Sequence, residues 1–145
     1  MDIVIDSLDQ KLIDLLMQDA HRTSHALAHQ LNVDPSTVRR RVKKLLDEGI
    51  IHIVALPEPE KIGLSAEAVI ALDVRHENVK SALRVLRDST KVRWAAATSG
   101  RFDVMAHVWC YSINDLYQFI ENELGKIEGL RNSETFICMQ VEKHP

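Results

Sequence analysis

Residues 34–49, DPSTVRRRVKKLLDEG, constrain what this chain can fold into more than any other stretch. Asp34 offers a side-chain oxygen to the unpaired N–H groups of a helix start, and Pro35 suits the first helical position, where no N–H is needed. Gly49 can adopt the left-handed backbone that closes a helix. Between these signals Val38, Val42, Leu45 and Leu46 recur on one side of a 3.6-residue period, which predicts an amphipathic helix. Ser36, Arg40 and Lys44 point most nearly opposite that stripe, flanked by Thr37 and Lys43, with Arg39 and Arg41 at its two edges. From Asp34 to Leu45 there are five positive charges after the aspartate, in a chain of net charge −3.

Two more helices are expected upstream. Leu8, Leu12, Ile13, Leu15 and Leu16 fall on one face of the first. Thr23 or Ser24 caps the second, Leu27, Ala28 and Leu31 share its buried face, and Asn32 ends it. A helix, a short turn at Asn32-Val33 and a helix with a basic outer face make a helix-turn-helix, whose second helix enters the major groove. Charge alone would suit a solvated face. The preceding helix, the tight turn and the small polar residues at the entering end favour double-stranded DNA as partner. On this reading Ser36, Thr37 and Arg40 face base edges, while Arg39, Lys43 and Lys44 hold phosphates. GIIHIVAL, residues 49–56, is β-branched and suits one strand, giving a winged outline. His21, His25 and His29 are spaced by four, but a helix starting at Thr23-Ser24 leaves only a pair, so no metal and no cofactor is expected.

Bulk composition narrows the function classes. Residues 1–56 hold seven Lys/Arg against eight Asp/Glu, net −1, and residues 57–145 hold eleven against thirteen, net −2. Any nucleic-acid binding must therefore come from a local patch rather than from an overall basic coat. No apolar run approaches the ~20 residues of a membrane span. MDIVIDSLDQ has acids where a signal peptide would be basic, so a cytoplasmic protein is expected. Cys110 and Cys138 lie in apolar strand-like segments and read as buried reduced thiols.

ALPEPEKIGLS, residues 55–65, has two prolines and a glycine and reads as a linker between domains 1–54 and 66–145. Beyond it, strands are expected at Ala66–Val74, Val92–Ser99 and Phe102–Cys110, with a last one formed by Leu130 and Phe136–Val141. Helices are expected at Glu77–Arg87 and Ile113–Leu124. The order β-α-β-β-α-β is the ferredoxin-like arrangement, making the whole chain α+β. Both strand faces are apolar: Ile70, Leu72 and Val74 against Val69 and Ala71, and Val104, Ala106 and Val108 against Met105 and Trp109. Helices cover one face only. A second copy of the chain would cover the other, giving the homodimer that a two-fold DNA site requires.

Taken in order, LDQKLIDLL, RTSHALAHQLNVDPSTVRRRVKKLLDEGII and SGRFDV resemble the Lrp/AsnC family of bacterial and archaeal transcriptional regulators, also called feast/famine regulatory proteins. The resemblance runs from Leu8 to Val141. It implies dimers that assemble into octamers or higher forms, and an effector, often an amino acid, bound between dimers near Ser99, Gly100, Arg101, Phe102 and Asp103. Gly100 would allow close backbone approach, and Asp103 would hold an ammonium. The family often has an aspartate where this chain has Leu12, and a tyrosine where it has Phe102. An effector-independent protein that organises DNA by assembly alone is the alternative. An enzyme is not expected, since no nucleophile–base pair, phosphate-cradling glycine loop or metal cluster is legible.

Overall fold

The structure is a computed structural model that describes residues 4–142. It divides into two compact units, Met1–Leu56 and Pro57–Pro145, each described by itself. The first three positions of 1–54 and the last three of 66–145 lie outside the described residues.

The first unit holds α1 (Ser7–Gln18), α2 (Ser24–Leu31) and α3 (Pro35–Asp47). A reciprocal cap starts α1: Asp6 Oδ1 accepts from the N–H groups of Leu8 and Asp9, each at 2.9 Å, and the Asp9 carboxylate accepts from the Asp6 N–H. Thr23 Oγ1 caps α2 by accepting from the Ala26 N–H at 3.2 Å. The turn into α3 depends on Asn32, whose φ of +54° lets Val33 N–H reach back to Ala28 C=O at 3.0 Å. That closure carries Val33 onto the core, so one hydrophobic contact helps set the angle between the two helices. Asp34 accepts from the Ser36 N–H at 2.7 Å to start α3. At its far end Gly49, with φ +66°, donates to Leu46 C=O, and Ile50 N–H bonds Leu45 C=O at 2.9 Å. Leu12, Leu27, Ala28, Val38 and Leu45 are the buried centre of this unit.

The strand expected in GIIHIVAL does not form: no ladder hydrogen bond engages residues 49–56. Ile50 and Ile51 turn inward and pack on the helical core, while Ile53, Val54 and Leu56 stand exposed. A β-branched run becomes a strand only where another backbone meets its N–H and C=O groups, and this segment meets none within its unit.

The second unit is a four-stranded antiparallel sheet with two helices. Its elements are β1 (Ala66–Val74), α4 (Val79–Asp88), β2 (Val92–Ala97), β3 (Val104–Cys110), α5 (Ile113–Asn122) and β4 (Leu130–Ile137), in strand order β2-β3-β1-β4. The last strand thus runs earlier than Phe136–Val141. Its Arg-Asn-Ser-Glu-Thr stretch lacks an apolar pattern, but an edge strand with exposed side chains needs none. Ile70, Leu72, Val74, Val104, Ala106 and Val108 face the helices and are fully buried with Leu86, Leu116 and Phe119. The opposite face carries Glu67, Val69, Ala71, Met105, His107 and Trp109, joined by Phe136 across from Val69. Ile70 and Val104 are therefore interior residues of the unit, and any partner of the sheet meets the other set.

Candidate nucleic-acid interface and ligand turn

On α3 the amphipathic split decides what can touch DNA. Val38 and Leu45 are buried, whereas Ser36, Arg39, Arg40, Lys43 and Lys44 are exposed and Thr37 is half-buried. Ser36 and Thr37 stand in the first turn, where backbone N–H groups have no partner within the helix and that of Ser36 is capped by Asp34. The bond from Ser36 holds the Asp34 carboxyl below its ordinary range, so the cap stays ionised under all mild conditions. Lys43 donates to Asp47 one turn on at 2.7 Å, an exposed pair that a phosphate can displace. Arg39, Arg40 and Lys44 are the neighbours on which no such pairing is seen among the described residues. Arg41, by contrast, turns back onto α1, and its guanidinium bonds Asp6 and Asp9. His25 and His29 are exposed on α2. Among the described residues no three His, Cys, Asp or Glu side chains gather as a metal site.

The turn between β2 and β3 brings Ser99, Gly100, Arg101, Phe102 and Asp103 together. Thr98 closes it, its Oγ1 donating to Phe102 C=O at 2.7 Å and its N–H to Asp103 C=O at 3.0 Å. Gly100 has φ +130°, a backbone that L side chains rarely adopt, and open space where a Cβ would stand. Asp103 is already engaged. Its N–H donates to Leu72 C=O at 3.0 Å and its Oδ2 accepts from Val74 N–H at 2.9 Å, so the side chain extends the β3–β1 ladder by one step. Arg101 lies over the Phe102 ring, 5.1 Å from its centre, and donates to Glu134 on β4 at 2.8 Å.

Sequence reasoning missed three residues beside this turn: Asp73, Arg131 and Glu134. The β1–β4 ladder shifts register between Asp73 and Val74, which pair with Asn132 and Leu130, and leaves Arg131 as the extra residue. A bulge re-aims its side chain. Arg131 bonds Asp73 through Nε at 2.8 Å and also through Nη2, and lies 3.7 Å from Asp103. Its bond to Asp73 holds that carboxyl below the usual aspartate range. The only signal was a charge alternation in RNSET, uninformative until the register is known.

Elsewhere in the unit a second polar cluster shapes the fold. Lys91 pairs with Asp115, whose Oδ2 also accepts from the Tyr111 N–H at 3.0 Å, fixing the start of α5. Burial pushes the Cys110 thiol up to about 11, so it is inert at neutral pH.

Comparison with known proteins decides the family. Residues 5–52 match a winged helix-turn-helix DNA-binding model, and residues 67–145 match the Lrp/AsnC ligand binding domain. The chain belongs to the Lrp/AsnC family. An HTH-type transcriptional regulator of Pyrococcus furiosus is 37% identical over 141 residues, covering 97% of this chain and 95% of its own. LrpA of Pyrococcus horikoshii is 31% identical, covering 95% and 96%. Among solved structures, Escherichia coli AsnC superposes with a TM-score of 0.80 at 28% identity, covering 99% and 97%. As a Lrp/AsnC protein this chain is a transcriptional regulator with a DNA-binding winged helix-turn-helix and a ligand-binding α+β domain. Such regulators are not enzymes. No helix among the described residues is long and apolar enough to cross a membrane.

Proposed function

We propose that this regulator reads specific DNA sequences as a homodimer or a higher assembly, and that an amino acid modulates it by binding near the 99–103 turn. The observation that carries the DNA reading is the division of α3, with hydrophobic residues inward and Ser36, Arg39, Arg40, Lys43 and Lys44 outward. Ser36, Thr37 and Arg40 meet base edges, and Arg39, Lys43 and Lys44 meet phosphates. Dimerisation uses the helix-free face of the sheet, where Trp94 and Phe136 are each 51% exposed in the single chain. Octamers or larger forms are built from such dimers. An amino-acid effector is supported by the ligand-binding family match and by a fold neighbour from Neisseria meningitidis solved as a complex with L-methionine. That neighbour has a TM-score of 0.82 and 24% identity, so it lends its fold and suggests a ligand class.

Within that proposal, Ser99, Gly100 and Arg101 supply the ligand contacts. Asp103 serves mainly to hold the turn, since its carboxylate already accepts the Val74 N–H. This occupation also favours a second reading, an effector-independent protein that organises DNA by assembly. Thermal-shift screening of the twenty amino acids separates the two. A ligand at about 100 times its dissociation constant stabilises by about 2.7 kcal/mol. A stabilising amino acid whose effect disappears in Gly100→Val supports the first reading. No shift with any amino acid, together with salt-dependent binding to every duplex, supports the second.

A further inference from the structure

We infer that Arg41 is a positioning residue for DNA recognition: it fixes the DNA-reading helix α3 against the start of α1 instead of touching DNA. Within RRRVKK it looks like one cation among five. Its surroundings differ from theirs. Nη1 donates to Asp6 Oδ2 at 2.5 Å and to the Asp9 carboxylate at 3.0 and 3.1 Å. Asp9 is the buried charged residue of the described chain, 3% exposed, one turn before the fully buried Leu12. A carboxylate at such a depth needs a counter-charge, because an unpaired one is strongly disfavoured by desolvation.

The same two aspartates form the cap that starts α1. Arg41 is therefore joined to the first turn of α1, while Val38 and Leu45, three residues before it and four after, anchor the same side of α3 in the core. Hydrophobic packing alone leaves a helix able to slide or roll, since dispersion contacts are not directional. A guanidinium held by two carboxylates adds the directional constraint, and its Nη1 alone bonds both; the ammonium of a lysine stands one bond nearer the backbone and falls short of that position. Rotation of α3 would displace Ser36, Thr37 and Arg40 together.

The test uses the full-length protein and a duplex enriched from a random library by the unaltered protein, titrated between 50 and 200 mM salt. Binding by the unaltered protein reports separately on whether α3 belongs to a DNA-binding domain at all. Arg41→Ala should weaken binding at least tenfold with an unchanged salt slope, because no phosphate contact is lost. Asp9→Asn gives the sharper result. It removes a negative charge, so simple electrostatics would tighten binding, whereas positioning requires it to weaken. The Arg41→Ala/Asp9→Asn double variant should lose no more than either single one. Hydrogen exchange at residues 7–12 should quicken in all three. Should Arg41→Ala fail to fold, Arg41→Lys and Asp6→Asn carry the test, since asparagine also caps a helix well. Each should weaken binding with the slope unchanged. A slope reduced by about one per protomer, tighter binding by Asp9→Asn, or full affinity in a folded Arg41→Ala or Arg41→Lys would each overturn the inference.

Discussion

Replacing Lys44 by alanine tests the DNA surface most cleanly, because Lys44 is exposed on α3 and has no carboxylate partner comparable to Asp47 on Lys43. If Arg39, Lys43 and Lys44 each neutralise a phosphate, a dimer makes about six such contacts and its log affinity falls with log salt at a slope of roughly −5.4. From 50 to 200 mM salt, affinity should then drop about 1,800-fold. The variant removes about two contacts, the slope becomes roughly −3.6, and the same change of salt costs only about 150-fold. Fluorescence anisotropy on a labelled duplex at five salt concentrations distinguishes these slopes readily. The weakening should be uniform across duplexes, since phosphates carry no sequence information. An unchanged slope would show that Lys44 stays in solvent, and a loss confined to particular sequences would make it a base reader.

Asp47→Asn should tighten DNA binding at 50 mM salt, because it releases Lys43 from its 2.7 Å pair and removes a nearby negative charge; weaker binding would mean the pair positions Lys43. Phe136→Asp tests the dimer: covering the exposed half of this side chain in two copies is worth about 2–3 kcal/mol, so dimerisation should weaken about 30- to 150-fold by light scattering at graded concentration. An unaffected dimer would move the interface off this sheet face. Gly129→Ala should lower stability by about 1–3 kcal/mol in urea unfolding, given φ +75° and a Cβ that would collide with the Asn78 side chain. Lys91 holds the Asp115 carboxyl below 3.8, so the stabilisation is complete above pH 3.8 and lost as pH falls through the folded value. The stability gap between the unaltered protein and Asp115→Asn should therefore close in acid; a constant gap across that range would show that the charge of the carboxylate contributes nothing to it.

Local signals determined much of this protein by themselves. Asp34-Pro35 and Gly49 bracket α3, Thr23 and Asn32 bracket α2, and the period change after residue 65 separates a helical domain from an alternating α+β one. These features act over three or four residues, so the sequence carries them intact. SGRFDV marked the turn between β2 and β3 for the same reason. Pairing partners were a different matter. The start of α1 depends on Asp6 and Asp9, and their counter-charge lies more than thirty positions away on α3. Arg41 reads only as a cation at the edge of the buried stripe, and the packing of two helices is what supplies its partners on α1. GIIHIVAL has the composition of a strand, yet no neighbouring backbone within its unit completes a ladder. RNSET lacks that composition and is a strand, because β1 supplies the hydrogen bonds. Only the register along β1 places Arg131 beside Asp73 and Asp103 and engages the carboxylate that the sequence left available for a ligand. Propensity is a property of a segment, whereas ladder partners, counter-charges and register belong to the assembled domain, and it is these that decide which polar residues remain available to bind.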